Sequence, residues 1–150
     1  MLHQFTHLLG FHIKYLVDNN SEIYYTKYFL GIIKRKNVDG KKKYYINYES
    51  APNTIKYANK YFIGENYDEL EDIQKITEIE LEVDENSNVH WPSKLFLGEY
   101  MTKFIYPEEQ VISKFTLEFL NDLKYLKVEK FYTGGLMRFG KHKLKNFIDK

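Results

Sequence analysis

Hydrophobic positions along the chain change period several times, and those changes divide it into elements. Over residues 8–17, Leu9, Phe11, Ile13 and Tyr15 alternate with Gly10, His12 and Lys14, which predicts a strand, because alternate side chains of an extended chain share a face. Asp18-Asn19-Asn20-Ser21 then reads as a turn, since Asn and Asp tolerate left-handed backbone. Two β-rich runs follow, residues 23–38 and 41–48, separated by Asp39-Gly40. That dipeptide suits a type I′ turn, whose positive φ angles it accepts and whose twist matches the strands it joins. The turn fixes a register: Val38 faces Lys41, Lys36 faces Lys43, Arg35 faces Tyr44 and Lys34 faces Tyr45.

Residues 65–74 are acidic and predict one short helix beginning near Tyr67. From 77 to 83 strict alternation returns, with Ile79, Leu81 and Val83 on one face and Glu78, Glu80 and Glu82 on the other, which predicts a strand with one wet face. Residues 84–88 turn the chain, and His90-Trp91-Pro92 reads as a loop anchored by Trp91. Residues 95–105 fit either a strand or a helix. Pro107-Glu108-Glu109 opens well as a helix, because proline fits the first turn and acidic groups there complement the dipole. Val111, Ile112, Phe115, Phe119, Leu120 and Leu123 continue it at helical spacing, giving one long helix over about 107–125. A strand over 127–133, a glycine turn at Gly134-Gly135 and a basic helix from about Lys141 complete the chain. The predicted fold is α+β: a mainly antiparallel sheet with one long helix packed on it and short peripheral helices. At 150 residues the chain fits a single domain.

Composition narrows the chemistry. Without cysteine there is no disulfide framework, thiolate metal site or cysteine nucleophile, and a reducing cytoplasm is the expected location. The longest apolar run, residues 29–33, is far shorter than the ~20 residues a membrane helix needs, so no membrane partner is expected. A net charge of +1 conceals strong segregation: residues 1–62 carry +6, 63–123 carry −11 and 124–150 carry +6.

Two charged zones are therefore the candidate binding surface. One is the basic, aromatic hairpin of Lys34, Arg35, Lys36, Lys41, Lys42, Lys43, Tyr44 and Tyr45, which offers cations for phosphates and rings for unstacked bases. Lys36 directly opposite Lys43 costs stability, and nothing close in sequence except Asp39 offsets it. The other zone is the glutamate face of Glu78, Glu80 and Glu82. Histidines contribute a weaker pattern: at i,i+4, His3 and His7 share a face of a helix, or with Phe5 a face of a strand, yet no third metal ligand is identifiable. No H-E-x-x-H pattern, nucleophile elbow or phosphate-binding glycine loop occurs, so no catalytic residue, metal site or cofactor is expected.

These features point first to a small non-enzymatic binding protein that occupies a charged surface of a macromolecular partner, as inhibitor, anti-defence and immunity proteins do. A nucleic-acid-binding module built on residues 34–45 is the second expectation. A small metal-dependent nuclease using His3, His7 or the acidic residues is the third. The first two require the charged zones to be displayed rather than cancelled against each other.

Overall fold

A computed structural model of the chain describes residues 2–9, 11, 32–104, 111–124, 126–129 and 141–143. Its centre is a four-stranded antiparallel sheet in sequential order: β1 (Lys34–Val38), β2 (Lys41–Asn47), β3 (Glu78–Val83) and β4 (Val89–His90). The β1–β2 hairpin has the register that Asp39-Gly40 implies, with Lys36 facing Lys43 and Lys34 facing Tyr45. Asp39 and Gly40 take φ angles of 50° and 75°, the left-handed pair that a type I′ turn needs.

Among the described residues three short helices accompany the sheet: α1 (Leu2–Leu8), α2 (Pro52–Phe62) and α3 (Lys114–Asp122). Helix α2 starts at a proline, which loses no hydrogen bond at that position. The remaining first-turn donors are satisfied from far away in sequence. Asp122, buried at the end of α3, accepts from Asn53 N at 3.0 Å, Asn53 Nδ2 at 2.8 Å, Thr54 N at 2.9 Å and Thr54 Oγ1 at 2.7 Å. One carboxylate thus caps α2 and fastens it to α3. Ile46, Ile79 and Leu81 of the sheet join Ile55, Ala58 and Phe62 of α2 and Phe115 and Phe119 of α3 in one buried cluster. Phe11, Trp91 and Phe96 complete it, with Trp91 stacked on Phe96 at 5.0 Å and its Nε1–H donated to Thr116 Oγ1 at 2.8 Å.

Several elements differ from the sequence expectation. Leu8 ends a helix rather than running within a strand, since α1 turns His3, Thr6 and His7 to one side; residues 12–17 of the expected strand lie outside the described residues. No long helix spans 107–125: α3 begins at Lys114, because Val111 is held extended by Val111 N–H to Gly98 O at 2.9 Å and Tyr100 N–H to Val111 O at 3.0 Å. Ser113 is the residue before the first helical turn, its hydroxyl donated to Glu99 and not to the helix, and residues 105–110 of the expected opening lie outside the described residues. The acidic segment makes two 3₁₀ turns, Tyr67–Glu69 and Asp72–Gln74, instead of one helix. Residues 95–104 are turns, neither strand nor helix, and the described part of the expected strand at 127–133 has no regular structure. The turn at 18–21, Gly134-Gly135 and residues 144–150 of the expected basic helix lie outside the described residues. No helix among the described residues is long and apolar enough to cross a membrane.

Candidate metal centre

The sheet places part of each charged zone, Lys36 and Lys43 with Glu78 and Glu80, on one face. Adjacent strands β1, β2 and β3 bring Lys36 and Lys43 beside Glu78 and Glu80, where Lys36 pairs with Glu78 and Lys43 Nζ lies 3.2 Å from Glu80. The hydrogen bond that Lys36 donates to Glu78 raises the pKa of Lys36. The repulsion expected between Lys36 and Lys43 is therefore relieved by a strand about forty residues further along the chain, with sequence separations of 42 and 37. Lys36 also lies 4.6 Å from the centre of the Tyr45 ring. Glu82 is engaged differently, accepting from Ser93 N at 2.9 Å and Ser93 Oγ at 3.3 Å. Tyr44 turns inward against the core, and Lys34 is half-buried, while Arg35, Lys41 and Lys42 remain exposed.

A second grouping joins two residues of the N-terminal helix with one at least 83 positions further along the chain. One ring nitrogen from each of His3, His7 and His90 lies within 4.8 Å of the other two. Helix α1 supplies the first two at i,i+4, and β4 supplies the third. His7 and His90 are buried, and His3 is partly so. The rings pack edge-to-face for His3–His7 at 4.7 Å and His7–His90 at 4.8 Å, and stacked for His3–His90 at 5.4 Å.

Hydrogen bonds fix how these rings can act. His3 Nδ1 lies 2.5 Å from the Tyr100 carbonyl and His7 Nδ1 lies 2.8 Å from the Phe11 carbonyl. A carbonyl only accepts, so each Nδ1 must carry its proton, and each Nε2 is a lone-pair donor whenever its ring is neutral. Those two Nε2 atoms face each other at 3.0 Å. Two lone pairs at that distance repel unless a cation, either a proton or a metal ion, lies between or beside them. Tetrahedral coordination with bonds of about 2.0–2.1 Å sets neighbouring ligand nitrogens about 3.3 Å apart, within a few tenths of the spacing here. Carbonyl acceptors on the far side of the ring are the usual way that metal-bound imidazoles are oriented.

His90 adds the third donor. Burial, followed by the nearby His7 and His3, lowers its pKa to about 4, so the ring is neutral and able to donate a lone pair at ordinary pH. Its Nδ1 is buried without a hydrogen-bond partner among the described residues.

Two residues hold the three rings in register. The Phe11 carbonyl accepts from both His7 Nδ1 and Val89 N, the latter at 3.1 Å, and so ties α1 to β4 at one atom. Tyr100 holds α1 twice: its carbonyl accepts from His3, and its hydroxyl lies 2.5 Å from Thr6 Oγ1, which in turn donates to Leu2 O at 3.1 Å. Burial raises the Tyr100 pKa to about 12, so the phenol keeps its proton and donates to Thr6. The neighbouring Glu99 is fully buried and accepts from Met101 N at 2.5 Å, from Ser113 N and Oγ at 3.3 and 3.0 Å, and from Thr116 Oγ1. Burial raises its pKa to about 7 against the pull of those donors.

The imidazoles line a cleft of about 420 Å³ together with Asp84, Glu85, Asn86 and Asn88 of the β3–β4 turn and Lys103. Asp84 shapes that turn: its carboxylate accepts from Asn86 N and Asn88 N, both at 2.9 Å, and from Asn88 Nδ2 at 3.1 Å. Burial alone would raise the Asp84 pKa, but these donors outweigh it and hold the carboxyl below its ordinary value.

Compared with protein families, curated proteins and solved structures, the chain matches none. Sequence reasoning found His3 and His7 but placed His90 in a loop and saw no third ligand. The structure corrects this by placing His90 in β4, paired with Glu82. The only signal in the sequence was the isolated histidine itself.

Proposed function

We propose that this protein binds one divalent transition-metal ion through His3, His7 and His90, and presents it to the cleft as a hydrolytic centre. The observation that carries this reading is the 3.0 Å approach of two Nε2 atoms whose Nδ1 protons are both committed to carbonyls. Three imidazoles suit zinc, copper, nickel or iron. Three protein ligands leave a fourth tetrahedral position for water, whose pKa a bound zinc ion brings to about 7. Metal-assisted hydrolysis is thus favoured over a purely structural site, which normally uses four protein ligands.

Calorimetric titration with zinc tests the reading. One ion per chain should bind, and His3→Ala or His90→Ala should weaken binding by at least about 100-fold while circular dichroism shows the fold retained. Failure of zinc to bind, or binding indifferent to both substitutions, would overturn it.

A second reading keeps the charged face as a binding surface for an acidic protein or nucleic acid. It is favoured by the exposure of Arg35, Lys41 and Lys42 at the hairpin, outside the Lys36–Glu78 and Lys43–Glu80 pairs.

A further inference from the structure

We propose that the fourth coordination position takes an oxyanion, a phosphate or carboxylate group, held between the metal ion and the ammonium of Lys103. This inference rests on the metal reading above and goes on to name the ligand class. Lys103 is the one cationic side chain lining the cleft among the described residues. It is exposed. Of the two carboxylates in the lining, Asp84 is occupied by its three donors from Asn86 and Asn88, and Glu85 is exposed.

The formal charge of the lining decides when an anion can enter. Asp84 and Glu85 against Lys103 leave −1, and a proton shared by the facing His3 and His7 Nε2 atoms brings this only to 0, so the cleft without metal has no net attraction for anions. A divalent ion bound by three neutral imidazoles reverses the sign to +1, and the ion then becomes the largest local charge. Anion binding is therefore conditional on metal. Lysine is well suited to the second contact, because its ammonium meets phosphate or carboxylate as a point charge without demanding a fixed plane. A volume of about 420 Å³ accommodates such a group together with the part of a small substrate next to it.

The test uses the full chain loaded with cobalt(II), whose visible spectrum reports a change of ligand. Inorganic phosphate and acetate are titrated separately, and the one that binds more tightly identifies the class. Saturable spectral change is expected for at least one of them, and no anion binding is expected without metal. Lys103→Met should weaken anion binding about 10-fold, the loss of one charge-assisted hydrogen bond, while cobalt still binds one to one, and Lys103→Arg should restore most of it. If cobalt binds one to one but neither anion alters the spectrum, or Lys103→Met has no effect, the oxyanion proposal falls and the metal centre stands. If cobalt does not bind, both fall.

Discussion

The charged face of the sheet and the histidine cleft are built in opposite ways. On the face, Lys36, Lys43, Glu78 and Glu80 are all half-exposed, and each ion pair competes with water. In the cleft, each ring of α1 is oriented by a backbone carbonyl, and Phe11 and Tyr100, which supply those carbonyls, are buried. Charges that are conspicuous along a chain can cancel cheaply across neighbouring strands, whereas a few neutral donors drawn from distant segments can create a demand for a cation. The second arrangement carries more chemical information than the first.

The contrast is most easily broken at Glu99. Glu99→Gln should destabilise the protein by about 1–3 kcal/mol, because the carboxamide must turn an N–H group toward a buried donor such as Met101 N–H. The wild-type residue also leaves a pH signature. Its folded pKa of about 7 lies above the ordinary 4.5, so its stabilisation is complete below about pH 4.5 and is lost as pH rises through about 7. Urea midpoints measured from about pH 4 to about pH 8 should show that decline in the wild type and lack this component in Glu99→Gln. A gap between the two proteins that is constant over this range would contradict the assignment.

A smaller effect sharpens the same contrast. Tyr100→Phe keeps the carbonyl that orients His3 but removes the hydroxyl that holds Thr6, so Tyr100 holds α1 at one point instead of two. Zinc affinity should fall about 10-fold, the scale on which groups that position metal ligands act. Unchanged affinity would show that the carbonyl alone suffices.

The smallest effects are expected on the charged face. A double-mutant cycle on Lys43 and Glu80 should give a coupling below about 1 kcal/mol, fading with added salt. Converting Lys41 and Lys42 to glutamate should change stability by less than about 0.5 kcal/mol. The same change should abolish any salt-dependent binding to a polyanion, and polyanion binding that survives it would remove the hairpin from consideration as a binding surface.

What the sequence reveals follows from how local each determinant is. The hairpin register was legible because Asp39-Gly40 sets it within two residues, and β3 because Ile79 and Leu81 alternate with Glu78 and Glu80. Helix α2 gave little local signal: its buried face mixes Ile55, Ala58 and Phe62 with Thr54 and Asn59, and its cap is supplied by Asp122. The start of α3 was misread because the bridge between Glu99 and Val111 is a contact between segments, invisible to helical spacing. Half of the metal centre was legible, since i,i+4 histidines share a helix face. The other half was not, because His90 reaches them only through strand pairing and the Phe11–Val89 bond.

The shared acceptor at Phe11 has a mechanical consequence. Because one oxygen takes both the Val89 amide and the His7 imidazole, strand β4 cannot slide along the N-terminal segment without also rotating a ligand ring. Solvent exchange at a single main-chain amide, that of Val89, therefore serves as a gauge of imidazole orientation.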